Sequence, residues 1–355
     1  MDLGLFLAKE KKITDTALDK LFCNELRNAA TIDDSFLAMV LEIKTLALRG
    51  GKRSRSILTR LAYKLAGGGK KEIIEASLFV ELSHLFILVH DDIADRDFKR
   101  YGGPTLEVSF QRAFFDKFAC DNHHFGTSLA IIGGDYLFTL ANEVLHQTSF
   151  GLEQINEAER LMAKTLKEVM AGWLIHQWQN YEDLSKASSE QYLKGMRLVS
   201  GSYSFEAPLQ IGLALAGKTK QYGEALKDYA DNVGVAFQIQ DDILGVFGDS
   251  EKTGKPVGND IREGKKTLLV LKAYELANDT GKELLSQSVG KEIGEQQLGM
   301  VQDLIKKSGS LDFSKTLAQN HIEKAKQSVR KIETQEVECV TLLEELADFV
   351  LARSF

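Results

Sequence analysis

Apolar residues recur three and four positions apart along most of this chain. Between residues 36 and 48, for example, Leu37, Val40 and Leu41 follow that spacing. This periodicity places apolar side chains on one face of an α-helix. No segment alternates apolar and polar residues convincingly enough to predict a sheet. The pattern therefore predicts an all-α protein.

Three of the predicted helices are apolar on almost every side. They span residues 78–94, 129–144 and 233–246. Helices of this kind lie in the interior of a helical protein. Two other segments, residues 155–178 and 322–352, are more amphipathic, and we predict that they form outer helices.

Local signals indicate where helices begin and end. Thr31 followed by Asp34, and Ser188 followed by Gln191, fit the pattern at a helix N-terminus. Only 3 of the 355 residues are proline, which favours long helices. We predict that glycine pairs, including the pair at residues 133–134, form connections between helices.

Composition and charge narrow the functional classes. The formal net charge is −7, which argues against nucleic acid as a partner. The 3 cysteines lie far apart without a metal-ligand spacing, as expected in a reducing cytosol. The N-terminus lacks a basic start before an apolar run, and the most apolar window is too short and polar to span a bilayer. We therefore expect one cytoplasmic domain over residues 1–355, without a signal peptide or transmembrane segment.

Two aspartate motifs carry the candidate chemistry. The first is HDDIAD at residues 90–95, and the second is QDDILG at residues 240–245. Each motif follows an apolar run. Asp91 and Asp95 are four positions apart and share a helix face. Asp241 and Asp249 also share a face if their helix continues that far.

The spacing of these carboxylates indicates a metal site. Carboxylates one helical turn apart repel each other, and partial burial raises their pKa values. Hard oxygen ligands suit Mg²⁺, which shares its coordination shell with substrate phosphates. A single Asp-Asp pair more often lies on a solvated helix face. A second motif after another apolar helix favours the metal interpretation.

Basic residues also occur next to predicted connections between helices. The segment GGKRSR at residues 50–55 places three cations after a glycine pair. Glycines let the backbone come close to a ligand, and the cations can engage phosphate oxygens. Lys255, Lys265 and Lys266 are further candidates, although each alone is more often a solvated surface lysine. Acidic and basic clusters together indicate a polyanionic substrate bridged by cations.

These motifs stand in the order seen in a known family. Between and beyond them lie GGPT at residues 102–105, GGD at 133–135, the segment 201–208, and GKKT at 264–267. The chain thereby resembles the trans-isoprenyl diphosphate synthases, also called the polyprenyl synthetase family. The resemblance implies an all-α fold, a single large helical bundle of the isoprenoid synthase type with a central active-site cavity.

The resemblance implies roles for the acidic residues. The magnesium ligands, for about three ions in each active site, would be Asp91, Asp95 and Asp241. Other aspartates would act behind these ligands or through water, namely Asp92, Asp242, Asp249 and Asp260.

The resemblance also implies which residues bind the substrates. Isopentenyl diphosphate would be bound by Lys52, Arg55 and His84. The allylic diphosphate would be bound by Arg100, Lys255 and Lys265. The place where the allylic cation forms would be lined by Ser200, Tyr203 and Gln238.

The implied reaction is the head-to-tail condensation of isopentenyl diphosphate with dimethylallyl, geranyl or farnesyl diphosphate. Phe86 lies five residues before Asp91, just over one helical turn. Its ring would form the floor of the product pocket, or it would be an ordinary residue of the core. An aromatic residue there resembles geranylgeranyl synthases of the archaeal type. Geranylgeranyl diphosphate is the expected product, and farnesyl diphosphate is the alternative. A homodimer is the family expectation.

Three positions depart from the family pattern. Tyr101 stands where the family usually has a second arginine for isopentenyl diphosphate. Val199 replaces a lysine that usually contacts the allylic diphosphate, and Gly245 replaces an aspartate found in many members. Each lost charge-assisted hydrogen bond would weaken binding by about 1.5–3 kcal/mol, unless Lys99 or Arg197 compensates.

Two alternatives remain open at this point. A class I terpene cyclase shares the fold and the first motif, but its second motif usually carries Ser or Thr and then Glu where this chain has Gly245 and Asp249. The retained Lys52, Arg55 and His84 also indicate a second diphosphate substrate. The other alternative is a weakly active partner subunit of a heteromeric prenyl synthase, motivated by the first two departures.

Overall fold

The structure is a computed structural model that describes residues 2–114, 121–248 and 257–352. Most of these residues lie in helices, and the described part of the chain has only two strands of two residues each. The all-α prediction is confirmed. The chain divides into two compact units, each of which is described by itself. One domain over residues 1–355 with a central cavity stays a prediction.

The first unit comprises Met1–Lys64, Gly68–Glu159 and Ala214–Gly217. Its elements are α1 (Leu3–Ala29), α2 (Asp34–Arg49), α3 (Ser54–Leu65), α4 (Ile73–Asp95), β1 (Lys99–Arg100), β2 (Gly103–Pro104), α5 (Leu106–Phe114), α6 (Asn122–His146) and the start of α7 (Leu152–Tyr181). β1 and β2 form an antiparallel hairpin in which Lys99 is paired with Pro104.

The second unit comprises Leu65–Gly67, Arg160–Leu213 and Lys218–Phe355. After the rest of α7 its elements are α8 (Ser189–Met196), a π-helix (Arg197–Glu206), α9 (Ala207–Leu215), α10 (Thr219–Phe247), α11 (Asn259–Arg262), α12 (Leu268–Leu276), α13 (Asp279–Ser288), α14 (Glu295–Lys307), α15 (Ser310–Arg330) and α16 (Val337–Ala352). No periodicity in the sequence distinguishes the π-helix from an α-helix.

α4 is a core helix of the first unit. The side chains of Phe79, Val80, Leu82 and Leu85 are at most 1% exposed. By length and composition alone α4 could cross a membrane, but 61% of its most apolar window is buried inside the protein. The burial of this apolar surface explains its composition. The predicted interior helix at residues 78–94 is therefore confirmed.

α10 is an interior helix of the second unit, and it too was predicted. The side chains of Val233, Val235 and Ile239 are at most 1% exposed. Its Gly234 packs against the π-helix so closely that an added Cβ would lie 2.3 Å from the Cα of Gly201. The two backbones are in direct contact there, which only glycine permits.

A buried polar cluster joins α1, α3 and α4 in the first unit. Arg60 Nε donates to Glu10 Oε2 at 2.9 Å. Arg60 Nη1 donates to the hydroxyl oxygens of Thr14 at 3.0 Å, Ser56 at 2.7 Å and Ser77 at 3.0 Å. Removing one partner of a buried ion pair destabilises a protein by about 3–5 kcal/mol. This cluster therefore fixes α1 to the other two helices.

One of the two predicted helix starts is confirmed. Ser188 caps α8, because its hydroxyl accepts from the backbone N–H of Gln191 at 3.4 Å. The start at residue 31 was wrong. The N-cap of α2 is Asp33, which accepts from the backbone N–H of Ser35 at 2.8 Å. Aspartate is a good N-cap because its carboxylate satisfies an otherwise unpaired amide.

Two further predictions need correction. The segment 322–352 is not one helix, since α15 ends at Arg330 and α16 begins at Val337. The glycine pair at residues 133–134 is not a connection and lies inside α6. A Cβ on Gly134 would lie 2.4 Å from Cε1 of His90, so this glycine makes room for a ring on α4.

Candidate active site

The first aspartate motif forms the last turn of α4. Asp92 is 1% exposed, whereas Asp91 is half-buried and Asp95 is exposed. α4 ends after Asp95 because the next residue, Arg96, adopts a left-handed conformation with φ of 56°. Asp91 and Asp95 are one helical turn apart on one face, as predicted.

Arg100 on β1 holds the buried aspartate. Its Nε donates to Asp92 Oδ1 at 2.7 Å, and its Nη2 donates to the same oxygen. Nη2 also donates to Asp97 Oδ2 at 3.0 Å and lies 3.9 Å from Asp91 Oδ2. Asp92 Oδ2 is buried and has no hydrogen-bond partner among the described residues. Asp92 is therefore directed toward Arg100 rather than toward solvent.

The pKa values of these aspartates reflect their crowding. Burial and then the charge of Asp95 raise the pKa of Asp91 to about 7. Burial raises the pKa of Asp92 to about 6, although the hydrogen bond from Arg100 opposes that shift. Both shifts express the unfavourable energy of several carboxylates in one partly buried turn. A divalent cation would offset that energy.

The donor set at this turn fits a magnesium ion better than a protein-only metal cage. Within residues 2–114, 121–248 and 257–352, no three His, Cys, Asp or Glu side chains converge as a complete metal site. Mg²⁺ needs only one or two carboxylates, because water and substrate phosphates complete its octahedral shell. Asp91 and Asp95, with oxygen donors only, meet that requirement.

The glycine–lysine–arginine segment has a shape that the sequence did not predict. Gly51 and Arg53 both have positive φ, 99° and 55°, and α3 begins immediately afterwards. Arg53 is 2% exposed. Its guanidinium donates to Asp15 Oδ1 at 2.7 Å and to Glu81 Oε1 at 3.0 Å. Arg53 is thus an internal ion-pair residue, so the three cations of this segment do not all face a ligand.

The three predicted ligands of isopentenyl diphosphate lie at the surface or near it. Lys52 is exposed, and Arg55 and His84 are half-buried. Burial, followed by the positive charges of Arg55, Arg53 and Arg100, lowers the pKa of His84 well below 6.5. The imidazole is therefore neutral at pH 7, and it lies among three guanidinium groups. The charges of both Arg55 and Arg100 act on His84, although the sequence assigned Arg100 to the other diphosphate; the binding roles of these residues stay predictions.

Tyr101, the first departure from the family pattern, packs on the glycine pair. A Cβ on Gly50 would lie 2.8 Å from both Cβ and Cγ of Tyr101. A Cβ on Gly51 would lie 3.4 Å from the Tyr101 hydroxyl. Burial and the charge of Glu81 raise the pKa of the phenol. The ring thereby covers the loop that leads into α3.

The second aspartate motif lies near the end of α10. Asp241 is exposed, whereas Asp242 is 2% exposed. Asp242 accepts from Gln238 Nε2 at 3.0 Å and from the Tyr192 hydroxyl at 2.8 Å. Burial raises the pKa of Asp242 to about 8, although the hydrogen bonds from Gln238 and Tyr192 oppose the shift. As in the first motif, the first aspartate of the pair is the more exposed one and the second is buried.

The π-helix supplies the other predicted residues of the second unit. Ser200 is 7% exposed and donates to Gln238 Oε1 at 2.6 Å. Tyr203 lies three residues on and is 4% exposed. Val199, the second departure, packs on α7, where a Cβ on Gly172 would lie 2.8 Å from its Cγ2. π-helical turns occur often at functional sites.

Asp260 of α11 packs against the second motif at Gly245. A Cβ on Gly245 would lie 1.9 Å from Asp260 Oδ2, so the carboxylate lies directly on that glycine. Burial and the charge of Asp241 raise the pKa of Asp260, and Lys265 opposes the shift. Lys265 Nζ lies 3.4 Å from Asp260 Oδ1 and 2.8 Å from Glu263 Oε2.

Asp249 and Lys255 lie outside the described residues. Lys266 is not a ligand-facing cation, because it is 5% exposed and donates to the backbone carbonyls of Gln179 at 2.7 Å and Asn180 at 2.8 Å. Its ammonium group thereby donates to carbonyl groups at the end of α7, which lack hydrogen-bond partners within the helix.

Phe86 lies on α4 with its ring against two neighbours. Its centroid is 4.8 Å from the His90 ring and 5.2 Å from the Phe138 ring of α6. His90 Nδ1 also lies 3.1 Å from the carbonyl oxygen of Phe86. The ring is therefore held in place from two sides, and its role in product length stays a prediction.

Comparison with known proteins now decides the family. The sequence profile of the polyprenyl synthetase family matches residues 39–307. The chain belongs to the polyprenyl synthetase family. The predicted family and the predicted trans-prenyltransferase activity are both confirmed.

Individual relatives agree with this placement. The chain is 33% identical over 307 residues to geranylgeranyl diphosphate synthase of Sulfolobus acidocaldarius, covering 86% of this chain and 87% of that protein. It is 32% identical over 309 residues to geranylfarnesyl diphosphate synthase of Aeropyrum pernix, covering 86% and 91%. Among solved structures, geranylgeranyl pyrophosphate synthase of Corynebacterium glutamicum, complexed with isoprenyl diphosphate and magnesium, matches with a TM-score of 0.90 at 26% identity, covering 99% and 100%.

Proposed function

We propose that this prenyltransferase condenses isopentenyl diphosphate head-to-tail with an allylic diphosphate and releases geranylgeranyl diphosphate. The names of the Sulfolobus enzyme and the Corynebacterium enzyme support this product class. The observation that carries the proposal is the pairing, in the first unit, of outward carboxylates at the end of α4 with the cationic group around His84. Anionic diphosphates bridged by cations match that combination.

Magnesium is the proposed metal, with about three ions per active site. Asp91, Asp95 and Asp241 are the proposed ligands; the exposure of Asp95 and Asp241 and the partial exposure of Asp91 support that role. When bound, the ions supply positive charge that stabilises the departing diphosphate. Asp92 and Asp242 accept hydrogen bonds from protein side chains, and their proposed role is to orient the adjacent ligands Asp91 and Asp241. Asp249 and Asp260 are proposed to act through water, at a distance from the metal.

The proposed diphosphate ligands fall into two sets. Lys52, Arg55 and neutral His84 bind isopentenyl diphosphate, the last as a hydrogen-bond donor. The allylic diphosphate is bound by Arg100, Lys255 and Lys265. Arg100 already donates to Asp92 and Asp97, and a guanidinium has five N–H groups, so donors are left for phosphate.

The reaction breaks one carbon–oxygen bond and forms one carbon–carbon bond. The allylic C1–oxygen bond breaks, and its electron pair leaves with the diphosphate. The double bond of isopentenyl diphosphate attacks the allylic cation, and a proton is then lost from C2 to the released diphosphate. Ser200, Tyr203 and Gln238 are proposed to stabilise the cation with their oxygen atoms, because oriented dipoles act strongly in a site that excludes water.

Purified protein should be incubated with Mg²⁺, labelled isopentenyl diphosphate and, separately, dimethylallyl, geranyl or farnesyl diphosphate. The expected result is a C20 product whose formation stops with chelator or with Asp91→Ala. A C15 end product would select the farnesyl alternative. No incorporation by folded protein with any primer would overturn the proposal and favour the partner-subunit function that Tyr101 and Val199 motivate.

We also propose that the enzyme is a cytoplasmic homodimer. Three apolar side chains of α6 support an interface, since Ile131, Ile132 and Phe138 are 42%, 52% and 38% exposed. Exposed apolar patches often mark association surfaces. Light scattering after gel filtration should give twice the mass of one chain, and replacing Ile132 with aspartate should shift it to the mass of one chain.

A further inference from the structure

A partly buried chain of hydrogen bonds runs from Tyr192 to Ser200 in the second unit. The Tyr192 hydroxyl donates to Asp242 Oδ2 at 2.8 Å. Gln238 Nε2 donates to Asp242 Oδ1 at 3.0 Å, and the Ser200 hydroxyl donates to Gln238 Oε1 at 2.6 Å. Each of the two groups in the middle is therefore held from both sides.

The chain has a direction that depends on the Asp242 carboxylate. Both oxygens of Asp242 accept hydrogen bonds, Oδ2 from Tyr192 and Oδ1 from Gln238, so the Gln238 amide turns its Nε2 toward Asp242 and its Oε1 toward Ser200. The Ser200 proton then points at Gln238, and its oxygen lone pairs point elsewhere. A reversed amide would donate to Ser200 and turn the serine proton outward. The orientation of the Gln238 amide therefore decides whether Ser200 directs its oxygen lone pairs, which are negative, or its proton, which is positive, away from Gln238.

Tyr192 fixes the carboxylate at the start of this chain. Its side chain is 8% exposed, and its ring stacks on His176 of α7 at a centroid distance of 5.0 Å and an angle of 25°. A ring held in this way keeps its hydroxyl on Asp242 Oδ2. The other oxygen, Oδ1, is thereby aimed at Gln238.

We propose that Tyr192 is a positioning residue for prenyl transfer, which acts through Asp242 to set the Gln238 amide and leave the Ser200 lone pairs available to the allylic cation. The inference rests on the proposed function of Ser200 and Gln238. An oxygen lone pair stabilises a carbocation, whereas a hydroxyl proton opposes it. Tyr192 itself makes no contact with substrate in this proposal.

Tyr192→Phe removes the hydroxyl and keeps the ring, and Tyr229→Phe is the matched control. The Tyr229 side chain is fully buried on α10, and its hydroxyl donates to the carbonyl oxygen of Leu343 at 2.7 Å. Tyr192→Phe should lower kcat about tenfold, with KM for both substrates within about twofold. Tyr229→Phe should leave kcat unchanged, even where both variants unfold at lower temperature.

A double-mutant cycle shows whether Tyr192 acts through Gln238. In the Gln238→Ala background, Tyr192→Phe should change kcat by less than about twofold. An equal tenfold loss in both backgrounds would overturn the inference, because the tyrosine would then act by another route. An unchanged kcat for Tyr192→Phe alone would overturn it as well.

A measurement independent of activity separates this inference from the proposed function. The side-chain amide signal of Gln238 is identified in the NMR spectrum by its loss in Gln238→Ala. Tyr192→Phe should shift this signal and Tyr229→Phe should not; an unshifted signal in Tyr192→Phe would overturn the positioning role. Wild-type protein that incorporates no isopentenyl diphosphate would instead overturn the proposed function.

Discussion

The carboxylate of Asp260 lies against the bare Cα of Gly245, where an added Cβ would lie 1.9 Å from Oδ2. Gly245 is a position at which many family members have aspartate. In this chain the space for that side chain is already filled by a carboxylate from α11. A side chain at position 245 would therefore have to displace the Asp260 carboxylate.

Gly245→Ala should destabilise the protein. The methyl group must displace Asp260, and such overpacking reduces the free energy of unfolding by about 1–3 kcal/mol. Gly299→Ala in α14 is the control, because an added Cβ there meets nothing within 4 Å. In a helix interior that change should raise the free energy of unfolding by about 0.5–1 kcal/mol. Urea denaturation measures both, and equal signs for the two variants would contradict the prediction.

Adjacent cations at the start of α3 should respond differently to alanine. Arg53→Ala leaves Glu81 buried without its ion-pair partner and should reduce the free energy of unfolding by about 3–5 kcal/mol. Lys52→Ala should change it by less than about 0.5 kcal/mol and raise KM for isopentenyl diphosphate. Urea denaturation and steady-state kinetics provide the two measurements. Equal stability of the two variants would show that Arg53 is not the internal residue described above.

Phe86→Ala should lengthen the product, because it removes the ring that we propose as the pocket floor. Products beyond C20 should appear in chromatography of the dephosphorylated alcohols. Phe22→Leu is a control for core damage, since Phe22 is fully buried in the first unit. That variant should lose stability without a change in product length. An unchanged distribution for Phe86→Ala would remove Phe86 as the floor.

The lowered pKa of His84 should make the protein sensitive to acid. In the unfolded chain an imidazole takes up a proton near pH 6.5, whereas burial and three arginine charges prevent this in the folded chain. Above pH 6.5 both states are neutral and His84 adds no pH dependence. Below it the unfolded state binds one proton more, so the free energy of unfolding falls as pH decreases. His84→Gln should have a flatter profile between pH 6.5 and 5, and parallel profiles would contradict this.

A neutral His84 should also be replaceable by another neutral donor. His84→Gln should keep KM for isopentenyl diphosphate at pH 7 within about threefold, whereas His84→Ala should raise it about tenfold, as expected for one lost hydrogen bond to a charged group. Steady-state kinetics with saturating allylic substrate measures both. If His84→Gln and His84→Ala were equally impaired, the imidazole would have to contribute something other than a neutral hydrogen bond.

Much of the fold was accessible to sequence reasoning because helical periodicity is local. The interior helices α4 and α10 were predicted from their composition. The ligand candidates Asp91, which is half-buried, and Asp241, which is exposed, were predicted because each follows an apolar run. Gly134 was wrongly predicted to lie in a connection. Glycine is needed there because the His90 ring, on another helix, occupies the space that a side chain would fill. Sequence spacing carries no signal for such a contact.

The orientation of side chains and the contacts between residues far apart in the sequence explain what could not be predicted. Arg53 looks like its neighbours in sequence, but its inward direction depends on a φ of 55° and on Glu81, which lies on a different helix. Tyr192 looks like an ordinary residue of a short amphipathic helix. Its importance follows from a hydrogen bond to Asp242, 50 positions away. Long-range pairs of this kind become visible only in three dimensions.

The π-helix has a consequence for evolutionary change by insertion and deletion. A π-helical hydrogen bond spans one residue more than an α-helical one. Successive residues of a helix are rotated by about 100°, so losing one residue from Arg197–Glu206 would turn α8 relative to α9 by that angle. Tyr192 and Ser200 would then no longer both face α10. The length of this segment therefore cannot vary without a change in the rotation of one flanking helix relative to the other.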